Sequence, residues 1–115
     1  MTESEQQRLF TRLVGEFITW CYTQPGYELT FGETWRPPEM AKINAAKGVG
    51  IKNSLHIERL AIDLLLWLNG VLQEDSAVYK TMGDKWKTMH ELCRWGGDFK
   101  RPDGDHFSME WHGIQ

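Results

Sequence analysis

The sequence has few cysteines and no excess of basic residues. Cys21 and Cys93 are far apart and not in CxxC spacing, so we interpret both as thiols packed in a core. Lysine and arginine number 13 against 16 aspartates and glutamates, which predicts neither a nucleic-acid partner nor stable association with an anionic membrane. No apolar run approaches the roughly 20 residues that span a bilayer, and the polar, acidic start is unlike a secretory signal. The chain is therefore expected to be made in the cytoplasm.

The composition is that of an ordinary globular domain. Of the 115 residues, 41% are apolar and 25% charged, which excludes a disordered or fibrous chain. A chain of this length has room for one domain, 1–115, with a core of its own.

Hydrophobic periodicity and turn residues divide the chain into helices and strands. They predict an α+β fold in which a small antiparallel sheet is packed by flanking helices on one side. The predicted segments are a helix over 4–22, a strand over 27–36, a helix over 39–47, a loop over 48–55, a buried strand over 59–68, a helix over 76–92 and a strand-containing tail.

Asp63 stands out because it lies within the most apolar run of the chain, RLAIDLLLWL. A buried carboxylate without a partner would cost several kcal/mol, so some group must compensate it. A salt bridge to Arg59, hydrogen bonds from backbone amides or a metal ion could each do so.

Two histidines are candidates for sharing a metal ion with Asp63. His56 precedes it by seven residues, roughly 23 Å if extended, so the chain must turn between them. His106 follows the turn signal Pro102-Asp103-Gly104. Two imidazoles and one carboxylate would leave a fourth position for water, as in catalytic zinc sites.

Two blocks of the sequence resemble one peptidase family. Ser54-Leu55-His56 followed by Ala61-Ile62-Asp63 is similar to the SxHxxGxAxD motif of zinc peptidases that include D-alanyl-D-alanine carboxypeptidases, vancomycin-resistance D,D-peptidases and phage L-alanyl-D-glutamate endopeptidases. The stretch from Trp95 to Phe107 resembles that family's closing WGGxF and DxxHF signature. The fold implied is the one shared by hedgehog proteins and D-alanyl-D-alanine peptidases.

The resemblance implies a role for each matching residue. The implied zinc ligands are His56, Asp63 and His106, and the implied general base is Asp103. Residues expected to contact or surround substrate are Arg36, Ser54 and Trp95. Asp105 is the rival base, although alternation along a strand would turn it away from a metal that His106 faces.

Two positions depart from the family pattern. The motif glycine is Arg59, which bears on the turn between the first two ligands. The acidic residue that often follows the HF pair is Ser108, which removes a carboxylate that could have supported a ligand.

The resemblance implies a zinc-dependent peptidoglycan hydrolase that cleaves stem peptides, with L-alanyl-D-glutamate as the expected bond, in the manner of phage endolysins. Such an enzyme would be a monomer, made in a host cytoplasm and acting on the periplasmic cell wall. Two alternatives stay open: a D-alanyl-D-alanine carboxypeptidase, and a non-catalytic, zinc-stabilised module that binds the wall. Asp103 argues against the module, because a binding module need not keep a base.

Overall fold

The structure is a computed structural model that describes residues 1–47 and 54–115. In these residues three helices alternate with five short strands, and two single turns of 3₁₀-helix lie beside α3 and β4. In chain order the elements are α1 (Glu3–Cys21), β1 (Tyr27–Phe31), α2 (Pro38–Ala46), β2 (Ala61–Leu68), β3 (Val71–Leu72), α3 (Lys80–Thr88), β4 (Cys93–Trp95) and β5 (His106–Met109).

The sheet is antiparallel throughout and is organised around β2. Strand β1 pairs with the second part of β2, and β5 pairs with its first three residues, 61–63. Strand β4 lies beyond β5, while β3 folds back on the end of β2. The predicted α+β class is confirmed. The first residues of β2 are the part of that strand that pairs with β5 from the tail of the chain.

Helix α1 forms where its periodic apolar stripe predicts it. Thr2 and Glu5 form a reciprocal capping box that satisfies free N–H groups of the first turn. The buried residues of its stripe are Phe10, Leu13, Val14, Phe17 and Cys21. Because this stripe faces the sheet, the helix is held by packing as well as by its cap.

Helices α1 and α3 pack on the same face of the sheet. The ring of Phe107 in β5 lies 5.0 Å from Phe17 of α1 and 6.3 Å from Trp86 of α3, measured between centroids. Side chains alternate along a strand, so His106 points to the opposite face. The helices therefore cover one face of the sheet and leave the other for polar side chains.

Two predicted elements end several residues earlier in the structure. The first strand ends at Phe31 rather than Arg36. The helix predicted to continue to residue 92 ends at Thr88, because the Nδ1 atom of His90 accepts the N–H of Leu92 and diverts the backbone. Most of the predicted loop, 48–53, lies outside the described residues.

Both cysteines are buried as free thiols, as predicted, and burial raises their pKa values to about 12. In the ranges 1–47 and 54–115, no helix combines the length and apolarity needed to cross a bilayer.

Arg59 adopts a backbone conformation that favours glycine. Its φ is 57°, in the left-handed region where a β-carbon is unfavourable. The Arg59 guanidinium lies over the Trp35 ring, 4.5 Å from its centroid, and the Trp35 indole N–H donates to the carbonyl of Ile57. We infer that the cation–π contact offsets part of the backbone strain.

We predict that Arg59→Gly is more stable than Arg59→Ala by about 1 kcal/mol, because both lose the Trp35 contact but only alanine retains the strain. Urea unfolding of the two variants measures this difference. The adjacent Glu58 has no positive φ, so Glu58→Ala should be at least as stable as Glu58→Gly. The same order at both positions would contradict the strain at Arg59.

Candidate active site

Asp63 and His106 are direct partners across β2 and β5. The pairing places both side chains on the face opposite the helices, where directly opposed β-carbons are about 5 Å apart. Asp63 thus lies in an apolar stretch of the sequence, but its side chain is on the polar face of the sheet. A one-residue slip would turn the side chains of either strand to the opposite face.

His56 reaches the same place from the turn before β2. The hydroxyl of Ser54 accepts the backbone N–H of His56 at 3.1 Å, and the carbonyl of His56 accepts the N–H of Arg36 at 3.2 Å. Ser54, predicted near substrate, is 6% exposed and orients the turn that carries the ligand.

The three predicted ligands converge in the structure. The Asp63 Oδ1 atom lies 3.3 Å from His56 Nε2 and 3.5 Å from His106 Nδ1. Ligand atoms bound tetrahedrally at about 2.0–2.1 Å would be separated by about 3.3 Å, close to both distances. These three residues form a cluster that could hold one metal ion.

Each imidazole directs one nitrogen towards Asp63 and pairs the other with a main-chain oxygen. His56 Nδ1 lies 3.1 Å from the carbonyl of Thr34, and His106 Nε2 lies 3.1 Å from the main-chain oxygen of Gln115. A carbonyl can only accept, so the nitrogen that faces it must carry the proton. Each neutral ring therefore presents a lone pair to the cluster, as metal binding requires.

The Asp63 carboxylate lacks a hydrogen-bond donor at one oxygen within the part of the chain that the structure describes, and a cation would stabilise it. Its Oδ1 atom is buried and has no hydrogen-bond partner among the described residues. The alternative partner Arg59 makes no ion pair with it and lies over Trp35 instead. Burial raises the pKa of Asp63, but when His106 and His56 are protonated and donate to the carboxylate they lower it to about 2, and a divalent cation held between neutral rings would stabilise the same ionised form. The site therefore combines an ionised carboxylate with two imidazoles, which fits a divalent metal ion.

Asp103 and Asp105 lie beside this cluster, and both face Asp63. One carboxylate oxygen from each of the three aspartates lies within 4.8 Å of the others. Asp105 does not turn away as predicted, because β5 begins only at His106 and strand alternation does not apply before it. Burial, a hydrogen bond with Asp103 and nearby negative charge raise the pKa of Asp105 to about 7. Asp103 is the more exposed of the two.

The loop that carries Asp103 is held by the Trp-Gly-Gly segment. The carbonyl of Gly96 accepts the N–H of Asp103 at 2.9 Å, and a β-carbon at Gly96 would lie 2.1 Å from the Asp103 carbonyl oxygen. The indole N–H of Trp95 donates to the carbonyl of Gly104 at 2.7 Å. These contacts fix the base candidate relative to His106.

Trp95 was predicted to line a substrate groove, and the structure gives it a different place. It pairs with Phe107 in register, which puts its side chain on the helix-covered face. It is 6% exposed, so little of its surface remains for substrate. Its role in the structure is to support the loop that contains Gly104.

Arg36 approaches the site through a residue that the sequence analysis did not single out. Its guanidinium forms a two-point ion pair with Glu33, whose Oε1 atom is also 3.7 Å from His56 Nδ1. Asp63 donates its backbone N–H to the carbonyl of Glu33 at 2.8 Å. The sequence shows the i, i+3 spacing of Glu33 and Arg36, but it does not show that the pair lies beside the candidate ligand His56.

A cavity of about 320 Å³ opens beside the base candidates. Asp103 and Asp105 form one side, and Leu72, Glu74 and Tyr79 contribute to the other. None of the described lining residues is basic. The cavity can therefore admit an uncharged or cationic part of a ligand next to the cluster.

Comparison with known proteins identifies the family. A family model described as D-alanyl-D-alanine carboxypeptidase matches residues 47–109, more than half of the chain and all three candidate ligands. The chain belongs to this peptidase family. No curated protein matches this chain.

The solved structure of the Serratia marcescens L-Ala D-Glu endopeptidase ChiX is similar to this family member. The TM-score is 0.74 at 18% sequence identity, over 94% of this chain and 86% of that one. At this identity the likeness shows a shared fold, and it confirms the predicted peptidase-type architecture.

We predict that Gly96→Ala destabilises the protein by about 1–3 kcal/mol, because the new methyl group would meet the Asp103 backbone and the His106 β-carbon. Thermal or urea unfolding measures the loss. Gly15 on α1 has nothing within 4 Å of an added β-carbon, so Gly15→Ala should be neutral or stabilising. Equal behaviour of the two variants would contradict the tight approach at Gly96.

Proposed function

We propose that this protein is a zinc-dependent peptidase that cleaves stem peptides of peptidoglycan, most directly as an L-alanyl-D-glutamate endopeptidase. One observation carries the zinc proposal: two imidazole nitrogens lie at tetrahedral spacing from a buried Asp63 oxygen without a hydrogen-bond partner among the described residues. Membership of a peptidase family supports the reaction class.

His56, Asp63 and His106 would hold the ion. Zinc with three protein ligands and one open position supplies a Lewis acid and lowers the pKa of a bound water from 15.7 to about 7. Neutral imidazoles and an ionised carboxylate are the protonation states that such binding needs.

Asp103 is the proposed general base. Its exposed carboxylate lines the cavity beside the cluster, and there it would take a proton from the attacking water and deliver it to the leaving amine. Asp105 lines the same cavity, half-buried and hydrogen-bonded to Asp103. Arg36, held by its ion pair with Glu33, supplies fixed positive charge for the oxygen of the scissile carbonyl.

The charge of the cavity favours cleavage within a peptide over removal of a terminal residue. A carboxypeptidase must bind the free carboxylate of its substrate, which calls for a cation near the scissile bond. The cavity beside Asp103 instead presents Glu74, Asp103 and Asp105, with no basic side chain among the described lining residues. Because the guanidinium of Arg36 is already paired with Glu33, the charge of the site supports the endopeptidase over the D-alanyl-D-alanine carboxypeptidase.

We predict about one zinc ion per chain, bound through three protein ligands. His56→Ala should lose most of the bound zinc, because it removes one of those ligands, whereas His90→Ala should retain it, since the His90 ring accepts the N–H of Leu92. Elemental analysis of the purified variants after dialysis gives the result. A His56→Ala protein with unchanged zinc content would exclude His56 as a ligand.

We predict that purified protein releases fragments cut between L-alanine and D-glutamate from muropeptides, identified by mass spectrometry. Asp103→Asn should keep zinc but lower kcat about 10²–10⁴-fold, the usual contribution of a general base, while Asp105→Asn should lose less. A larger loss for Asp105→Asn would assign the base to that residue.

The same assay separates the alternatives. Release of free D-alanine alone would make the protein a D-alanyl-D-alanine carboxypeptidase. Zinc content and wall binding without any cleavage would instead make it a binding module.

A further inference from the structure

We propose that the segment after β5, residues 110–115, positions His106 for metal binding, with the main-chain oxygen of Gln115 as the contact atom. The inference rests on the proposed zinc site and adds a positioning element that lies beyond the family match, which ends at residue 109. No side chain of the family motif supplies this contact.

Two buried donors converge on the Gln115 oxygen. His106 Nε2 lies 3.1 Å from it, and the Ser108 hydroxyl donates to it at 2.8 Å. Ser108 is fully buried and His106 is 7% exposed, so water could not easily replace the Gln115 oxygen as their acceptor if that oxygen were removed. Ser108 thus helps to support His106 through a main-chain atom in place of a carboxylate side chain.

The path of the chain explains how Gln115 reaches His106. The carbonyl of Glu110 accepts the side-chain amide of Gln6 at 2.8 Å, which fixes the start of the segment. Trp111 and Ile114 then exchange backbone hydrogen bonds of 3.1 and 2.9 Å. Positive φ angles of 48° and 78° at the two central residues, His112 and Gly113, are those of a type I′ turn. The turn returns the chain towards β5.

The contact selects the tautomer of His106. With Nε2–H donated to an oxygen acceptor, the lone pair of the neutral ring is on Nδ1, which lies 3.5 Å from Asp63 Oδ1. The other tautomer would direct an N–H at the place where a metal ion binds. Support of this kind is worth about 10–100-fold in metal affinity at other metal sites.

The first test disturbs the turn and leaves the contacting residues in place. Gly113→Ala should weaken zinc binding, measured by competition with a chelator at fixed pH, because alanine disfavours the φ of 78°. Gly70→Ala is the matched control, since Gly70 has φ of 79° in the β2–β3 turn and both glycines have open space around an added β-carbon. Equal zinc affinity in the two variants would overturn the proposal.

The second test removes the acceptor. A chain shortened to end at Gly113 should bind zinc about 10–100-fold more weakly than the full chain while retaining its helical circular dichroism. Should the shortened chain fail to fold, Ser108→Ala instead removes the second hydrogen bond that holds the Gln115 oxygen, with an expected smaller loss of zinc affinity. Unchanged zinc affinity in the folded variants would refute the role of the segment.

A third measurement distinguishes this proposal from the proposed function. In nuclear magnetic resonance of the zinc-free protein at alkaline pH, long-range nitrogen correlations should assign the proton of His106 to Nε2 in the full chain and to a mixture of nitrogens in the shortened one. Absence of peptidase activity would leave this difference intact, whereas the same mixture in both chains would reject the tail contact even in an active enzyme.

Discussion

The site depends on the antiparallel pairing of Asp63 with His106. This pairing puts a carboxylate and an imidazole on one face of the sheet, while their neighbours on the strands, among them Phe107, bury the other face against two helices. Because alternation links the two faces, the packing of the core also holds the candidate ligands in register. A change that moved β5 along β2 would expose Phe107 and separate the ligands at the same time. The same core packing therefore determines both the stability of the sheet and the geometry of the site.

The electrostatics follow from the same arrangement. Asp63, Asp103 and Asp105 approach one another closely, and burial raises the pKa of Asp105 while the imidazoles lower that of Asp63. Carboxylates crowded at low dielectric repel each other unless a proton or a cation lies between them. The raised pKa of Asp105 lets this carboxyl carry a proton at a higher pH than Asp63, which keeps its charge. One side of the site is thus suited to a metal ion and the other to proton transfer.

The strong periodic and motif signals predicted much of this. The stripe of α1 gave its helix almost to the residue, and the apolar run around Asp63 gave β2, with a buried charge that marked the site. The three candidate ligands converge as the motif resemblance implied. Two details differ from the prediction: α3 ends early because the His90 ring accepts the N–H of the nearby Leu92, and the long-range pairing with Phe107 places Trp95 on the face covered by helices. Glu33 escaped notice because its partner His56 is distant in sequence.

Main-chain oxygens explain why the supporting contacts were invisible in the sequence. His56 is oriented by the carbonyl at Thr34, His106 by the oxygen at Gln115, and Trp95 by the carbonyl of Gly104. Any residue offers such an oxygen, so side-chain identity at the acceptor carries no signal. The sequence must instead encode the backbone path that brings the acceptor oxygen to its partner. The residues that restrict this path lie at turns, as the positive φ of Gly113 and the close approach at Gly96 show. The candidate ligands define the chemistry of the site, and the glycines around them define where it can form.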